Sequence, residues 1–110
     1  MNIYDTANKL ASEIKQSEEY MNYKMAKQAI NLNLELKKQI EEFEKSRYEV
    51  QIEMMQTGKQ DEEKMMKMQN DYKELVDIDD ARKFFEAETK FNIIIADVNK
   101  IIGEAIREVM

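Results

Sequence analysis

The chain has 110 residues, of which 36% are charged, and a net charge of -6, a size that suits a single domain over 1–110. It has no proline and only two glycines, Gly58 and Gly103, while Glu, Lys, Met, Gln and Ala, which lose little on entering a helix, are abundant, so an all-α fold is expected. Zero cysteines exclude disulfides and thiolate metal sites, and zero histidines remove the commonest general base and every imidazole ligand.

In chain order, Ile3, Ala7, Leu10, Ala11 and Ile14 recur at three- and four-residue spacing and predict an amphipathic helix from about Ile3 to Gln16. Ser17 then offers an N-cap, with Glu18 and Glu19 at the positive end of a second, weakly striped helix. Asn33 caps a long third helix whose Leu36, Ile40, Phe43, Arg47, Val50 and Met54 form a heptad seam with an arginine in its centre. Gly58 closes it, because glycine accepts the left-handed backbone that ends helices. Asp61 caps the fourth, where Met65, Met68, Tyr72, Leu75 and Val76 share a face. The acidic DIDD, 77–80, reads as the start of the last helix rather than as a metal site, and that helix runs from about residue 80 to the chain end. The result is an antiparallel hairpin or bundle of about five helices with a long C-terminal helix.

Three consecutive isoleucines in FNIIIADVNKII, 91–102, cannot share one helix face. At about 100° per residue, Phe84, Ala87, Phe91, Ile94, Val98, Ile101 and Ala105 form the seam, and Ile95, Ile102, Ile106 and Val109 widen it toward the C-terminus. Ile94 and Ile95 are expected in the core, whereas Ile93 points to the opposite side and Phe85 lies off the stripe. A lone exposed isoleucine means little. The sharper reading is a second contact surface, since a helix packed only in a hairpin needs a narrower apolar face.

Met54, Met55, Met65, Met66 and Met68 flank the turn QTGKQDEE, so a hairpin gathers them at one end. They either fill irregular gaps or form an adaptable partner-binding patch. Arg47 either pairs with a carboxylate of a facing helix or lies at a dimer boundary with its head in solvent. Candidate interface residues are therefore Arg47, the five methionines, Phe85, Ile93, Ile95, Ile102 and Ile106.

Catalysis is not expected. Neighbouring carboxylates such as Glu41 and Glu42, or Glu86 and Glu88, do not share a helix face, and the isolated glycines make no phosphate loop. No cofactor or metal is expected either. The seventeen Lys and Arg are interleaved with acids in a chain of pI near 4.8, which argues against direct nucleic-acid binding. No apolar run approaches the roughly 20 residues of a membrane span, and MNIYDTANKL has neither part of a signal peptide, so a cytoplasmic protein without membrane contact is expected.

Four segments carry a family resemblance: IYDTANKLASEIKQSEEYMNYK at the start, ELKKQIEEFEK in the middle, MMQTGK at the turn and FFEAETKFNIIIADVNKIIGEAI at the end. The last is the most specific, with EAE followed by N-x-x-I-x-x-V-N-K-I-I. The chain resembles the YlbF/YmcA family of small bacterial regulators over nearly its whole length. The resemblance implies an all-helical, oligomeric, non-catalytic protein whose relatives support competence, sporulation and biofilm formation and adjust mRNA processing by the endoribonuclease RNase Y. Some members hold iron-sulfur clusters through cysteines, a feature this cysteine-free chain does not inherit. Two functions remain in view: a regulatory adaptor that assembles as a homo-oligomer and with protein partners, or a small helical chaperone or scaffold that holds clients through its Met-rich end.

Overall fold

The structure, a computed structural model, describes residues 2–110. Among them are five helices and no strand: α1 (Ile3–Gln16), α2 (Glu18–Asn31), α3 (Leu34–Thr57), α4 (Glu62–Val76) and α5 (Asp79–Arg107). The expected all-α architecture with a long closing helix is the one observed.

Short polar side chains set the boundaries by satisfying the free backbone N–H groups of each first turn. The Asn2 side chain accepts from the backbone of Tyr4 at 2.9 Å and of Asp5 at 3.4 Å. Ser17 separates α1 from α2 by working in both directions: its hydroxyl donates to the Ile14 carbonyl at 2.6 Å and accepts from the Tyr20 N–H at 3.2 Å. Asn33 accepts from the Leu36 N–H at 3.1 Å, and Asp61 accepts from Glu63 and Lys64. Gly58 ends α3 with φ of 71°, its N–H donating to the Met54 carbonyl at 2.9 Å. Of the DIDD cluster, Asp77 stands at the C-cap of α4, while Asp79 and Asp80 occupy the first turn of α5, where the helix dipole favours negative charge. The Arg82 guanidinium donates to the Val76 carbonyl and pairs with Asp79, fastening this corner.

The chain divides into two compact units. The first comprises residues 28–83 and holds Ile30, Leu36, Ile40, Phe43, Leu75 and Ala81 buried. Each of the large apolar side chains contributes about 1.5 to 3 kcal/mol by leaving water. In this unit α3 and α4 form an antiparallel hairpin in which Phe43 lies opposite Tyr72, ring centroids 5.6 Å apart, and Glu53 lies opposite Lys64. The α3 seam is buried at Leu36, Ile40 and Phe43, half-buried at Arg47 and Val50, and exposed by Met54.

The second unit comprises the residues up to Lys27 together with Phe84–Met110. Its organising feature is an aromatic cluster. Tyr20 and Tyr23 of α2 meet Phe84 and Phe91 of α5, with centroids 5.6 to 5.8 Å apart, separations at which ring edges and faces attract. The Tyr23 hydroxyl donates to Glu88 at 3.2 Å, and the Lys27 ammonium sits 5.1 Å from the Tyr23 ring centroid.

Two expectations need correction. Phe85, expected off the stripe, is 7% accessible and buried. Near its N-terminus α5 buries an arc reaching from Phe84 to Phe85, about 100° round the helix, so the seam alone underestimates what is covered there. Conversely Ile94 and Ile95, expected in the core, are only half-buried, and the seam residues Ile101 and Ala105 are exposed. The periodic face continues after its cover within the chain has ended.

Candidate functional site

Two apolar surfaces stand out, one in each unit. At the free end of the α3–α4 hairpin, the antiparallel register carries Met54 and Met55 to the same end as Met65 and Met66, and an ion pair between Lys64 Nζ and Glu53 at 2.9 Å bridges the two helices there. The Glu53 carboxylate, by hydrogen bond and by charge, raises the Lys64 pKa above its ordinary 10.5. The methionines then separate. Met65 and Met68 are half-buried and fill the hairpin, Met54 is largely exposed, and Met55 and Met66 are 82% and 63% accessible. The gap-filling reading thus suits Met65 and Met68, while Met55 and Met66 lie open to water.

Further along the hairpin, Phe43, Met68 and Tyr72 line a mainly apolar groove of about 240 Å³, with Arg47 and Lys73 among its lining residues. The Arg47 guanidinium lies over the Phe43 ring, 5.7 Å from its centroid, so this seam arginine stacks on an aromatic face. Arg47 and Met68 are therefore brought to one site. Sequence reasoning missed Tyr72 and Lys73 as its walls, although Tyr72 on the apolar face of α4 was a usable signal. A second hollow of about 410 Å³ is polar, bordered by Glu42, Lys67, Asp71 and Glu74.

The other surface belongs to α5. Ile102 and Ile106 are exposed beyond the half-buried Ile95, and Ile101 beside them is 68% accessible. Ile93 is 54% accessible on the opposite side of the helix, and Phe85, being buried, joins neither surface. Sequence reasoning also missed the aromatic cluster of Tyr20, Tyr23, Phe84 and Phe91, which the spacing of tyrosines three apart and phenylalanines seven apart could have suggested.

Among the described residues no group of three or more His, Cys, Asp or Glu could hold a metal ion, and no helix is long and apolar enough to cross a membrane. What the fold offers is helical surface: a small all-α protein with exposed apolar residues at a hairpin end and along its closing helix. The chain belongs to the YlbF/YmcA family, whose model, described as "Control of competence regulator ComK, YlbF/YmcA", matches residues 3–107. That description makes the family a regulatory one. The chain is 36% identical over 107 residues to a UPF0342 protein of Clostridium novyi, covering 96% of this chain and 93% of the relative. It is 34% identical over 110 residues to a UPF0342 protein of Desulfitobacterium hafniense, covering 100% and 89%, and 32% identical over 104 residues to one of Symbiobacterium thermophilum, covering 94% and 93%.

Proposed function

We propose that this protein is a non-catalytic regulatory adaptor that acts by binding other proteins, and that the Met-rich end of the α3–α4 hairpin is its partner-binding patch. The observation that carries the proposal is the exposure of Met55 and Met66 at the free end of a stapled hairpin, in a family described by its control of a competence regulator. An unbranched thioether side chain adapts its shape to the surface it meets and is polarisable enough to gain from close contact. Held on a rigid helix pair, such side chains present apolar area without ordering a loop, which keeps the entropic cost of binding low. Arg47 and Lys73 add positive charge beside the apolar groove in a chain of net charge -6, which favours a partner segment that combines an apolar side chain with a carboxylate.

The test is affinity purification of the tagged chain from its native host, with quantification of what is retained. An adaptor keeps a few proteins in fixed stoichiometry. Suppression of aggregation of unrelated unfolded proteins, with no stoichiometric partner retained, would overturn the adaptor reading in favour of a holdase.

A further inference from the structure

The regulatory reading does not account for the second unit. It encloses little core of its own, since Phe84 and Phe85 are its only buried apolar residues among those described. α1 shows the deficit most clearly. It is 14 residues long and strongly amphipathic, yet none of its residues is buried: Leu10 and Ile14 are half-buried and Ile3 is 74% accessible. Isolated helices of about 12 to 15 residues are marginal in water, and most helix stability in proteins comes from packing the apolar face. α5 has the same deficit toward its C-terminus, where Ile101, Ile102 and Ile106 are exposed.

The chemistry of the α5 face narrows what can cover it. At about 100° per residue, every charged residue of α5 after Phe91, namely Asp97, Lys100, Glu104 and Arg107, lies about 140° to 160° from Ile102. The half of the helix centred on Ile102 is therefore free of charge for roughly 24 Å, at about 1.5 Å per residue over 91–107. A face without charge meets its own copy without like-charge repulsion, even though each chain carries a net charge of -6. In a twofold contact it is also complementary to itself. A charged partner segment would find no counter-ion on it.

The area agrees. The chain leaves 9090 Å² accessible, where a folded monomer of 13.1 kDa typically leaves about 6400 Å². The surplus of roughly 2700 Å² per chain is at the scale obligate homodimers cover, about 1000 to 2500 Å² per partner.

We infer that a second copy of this chain packs on the charge-free face of α5 around Ile101, Ile102 and Ile106, together with the exposed apolar end of α1 at Ile3, so that the unit completes its core only on self-association. Ile93, turned about 180° from Ile102, stays outside this contact.

Sedimentation equilibrium beside far-UV circular dichroism tests the inference. Wild type is expected to sediment as a dimer or higher closed oligomer at micromolar concentration. Ile102→Asp/Ile106→Asp should weaken association at least 100-fold, because a twofold contact meets each substitution twice. Ile93→Asp should keep the wild-type mass. If the double variant loses its helicity, Ile101→Gln, at the most exposed of these positions, decides the matter: it should raise the dissociation constant severalfold at unchanged helicity. A wild type that is monomeric at high micromolar concentration overturns the inference. So does a folded double variant, or Ile101→Gln where it decides, that retains wild-type association, and so does dissociation caused by Ile93→Asp alone.

Discussion

Phe85→Ala and Ile93→Ala probe two residues of α5 that periodicity alone places off the apolar stripe, but which the fold treats differently. Phe85 is 7% accessible, its ring centroid 5.5 Å from that of Phe84, so truncation removes a buried ring and leaves a cavity. Such truncations cost about 3 to 5 kcal/mol. Set against a typical total of about 5 to 15 kcal/mol, that is a large share of the stability. Ile93 is 54% accessible, and shortening it should change stability by no more than about 0.5 kcal/mol. Urea unfolding followed by far-UV circular dichroism, with all chains at one fixed concentration because self-association would couple to stability, reads both. The expected result is a clearly lower midpoint for Phe85→Ala at similar slope, and an unmoved midpoint for Ile93→Ala. A loss below about 1 kcal/mol for Phe85→Ala would refute the burial argument and return Phe85 to the surface.

Two further perturbations test local physics. At Gly58 the backbone φ of 71° is costly for any residue with a Cβ, but an added Cβ would meet nothing within 4 Å, so Gly58→Ala carries a backbone cost only. A destabilisation of about 1 kcal/mol is expected in the urea midpoint, and Gly58→Asn should lose less, since asparagine tolerates this conformation. At Lys64, the hydrogen bond and charge of Glu53 raise the pKa above 10.5. A raised lysine pKa gives a contribution fully present below the ordinary value and lost as pH climbs through the higher folded value. Lys64→Gln should therefore shift the urea midpoint by the same small amount at neutral and mildly alkaline pH, with wild type converging on the variant only above 10.5. A difference that already shrinks between neutral and mildly alkaline pH would contradict the assignment.

Most of the helical layout was legible because caps are local. Ser17, Asn33, Gly58 and Asp61 each act on backbone groups within four residues, so their effect can be deduced without knowing the tertiary structure. The Asn2 cap was equally local and went unread. Burial was legible only where a neighbour existed. The α3 seam correctly marked Leu36, Ile40 and Phe43, but the same periodicity marked Ile101, which is exposed, and gave no hint of Phe85, which is buried. Periodicity identifies which side of a helix is apolar; whether anything packs there depends on residues far away in sequence. Arg47 illustrates the limit at the hairpin. Its seam position was plain, but stacking on Phe43 beside Met68 required the register of α3 against α4.

The central claim is that the open methionines at the hairpin end bind partner protein. Replacing both Met55 and Met66 with glutamine keeps length and helix propensity while removing apolar character. Because both side chains are largely accessible already, the stability loss should stay within about 1 kcal/mol. The decisive measurement is quantitative affinity purification from the native host with wild type and Met55→Gln/Met66→Gln in parallel. The account predicts a small stoichiometric set of proteins retained by wild type and reduced severalfold by the double variant at unchanged helicity. Equal recovery of that set by both chains would contradict it.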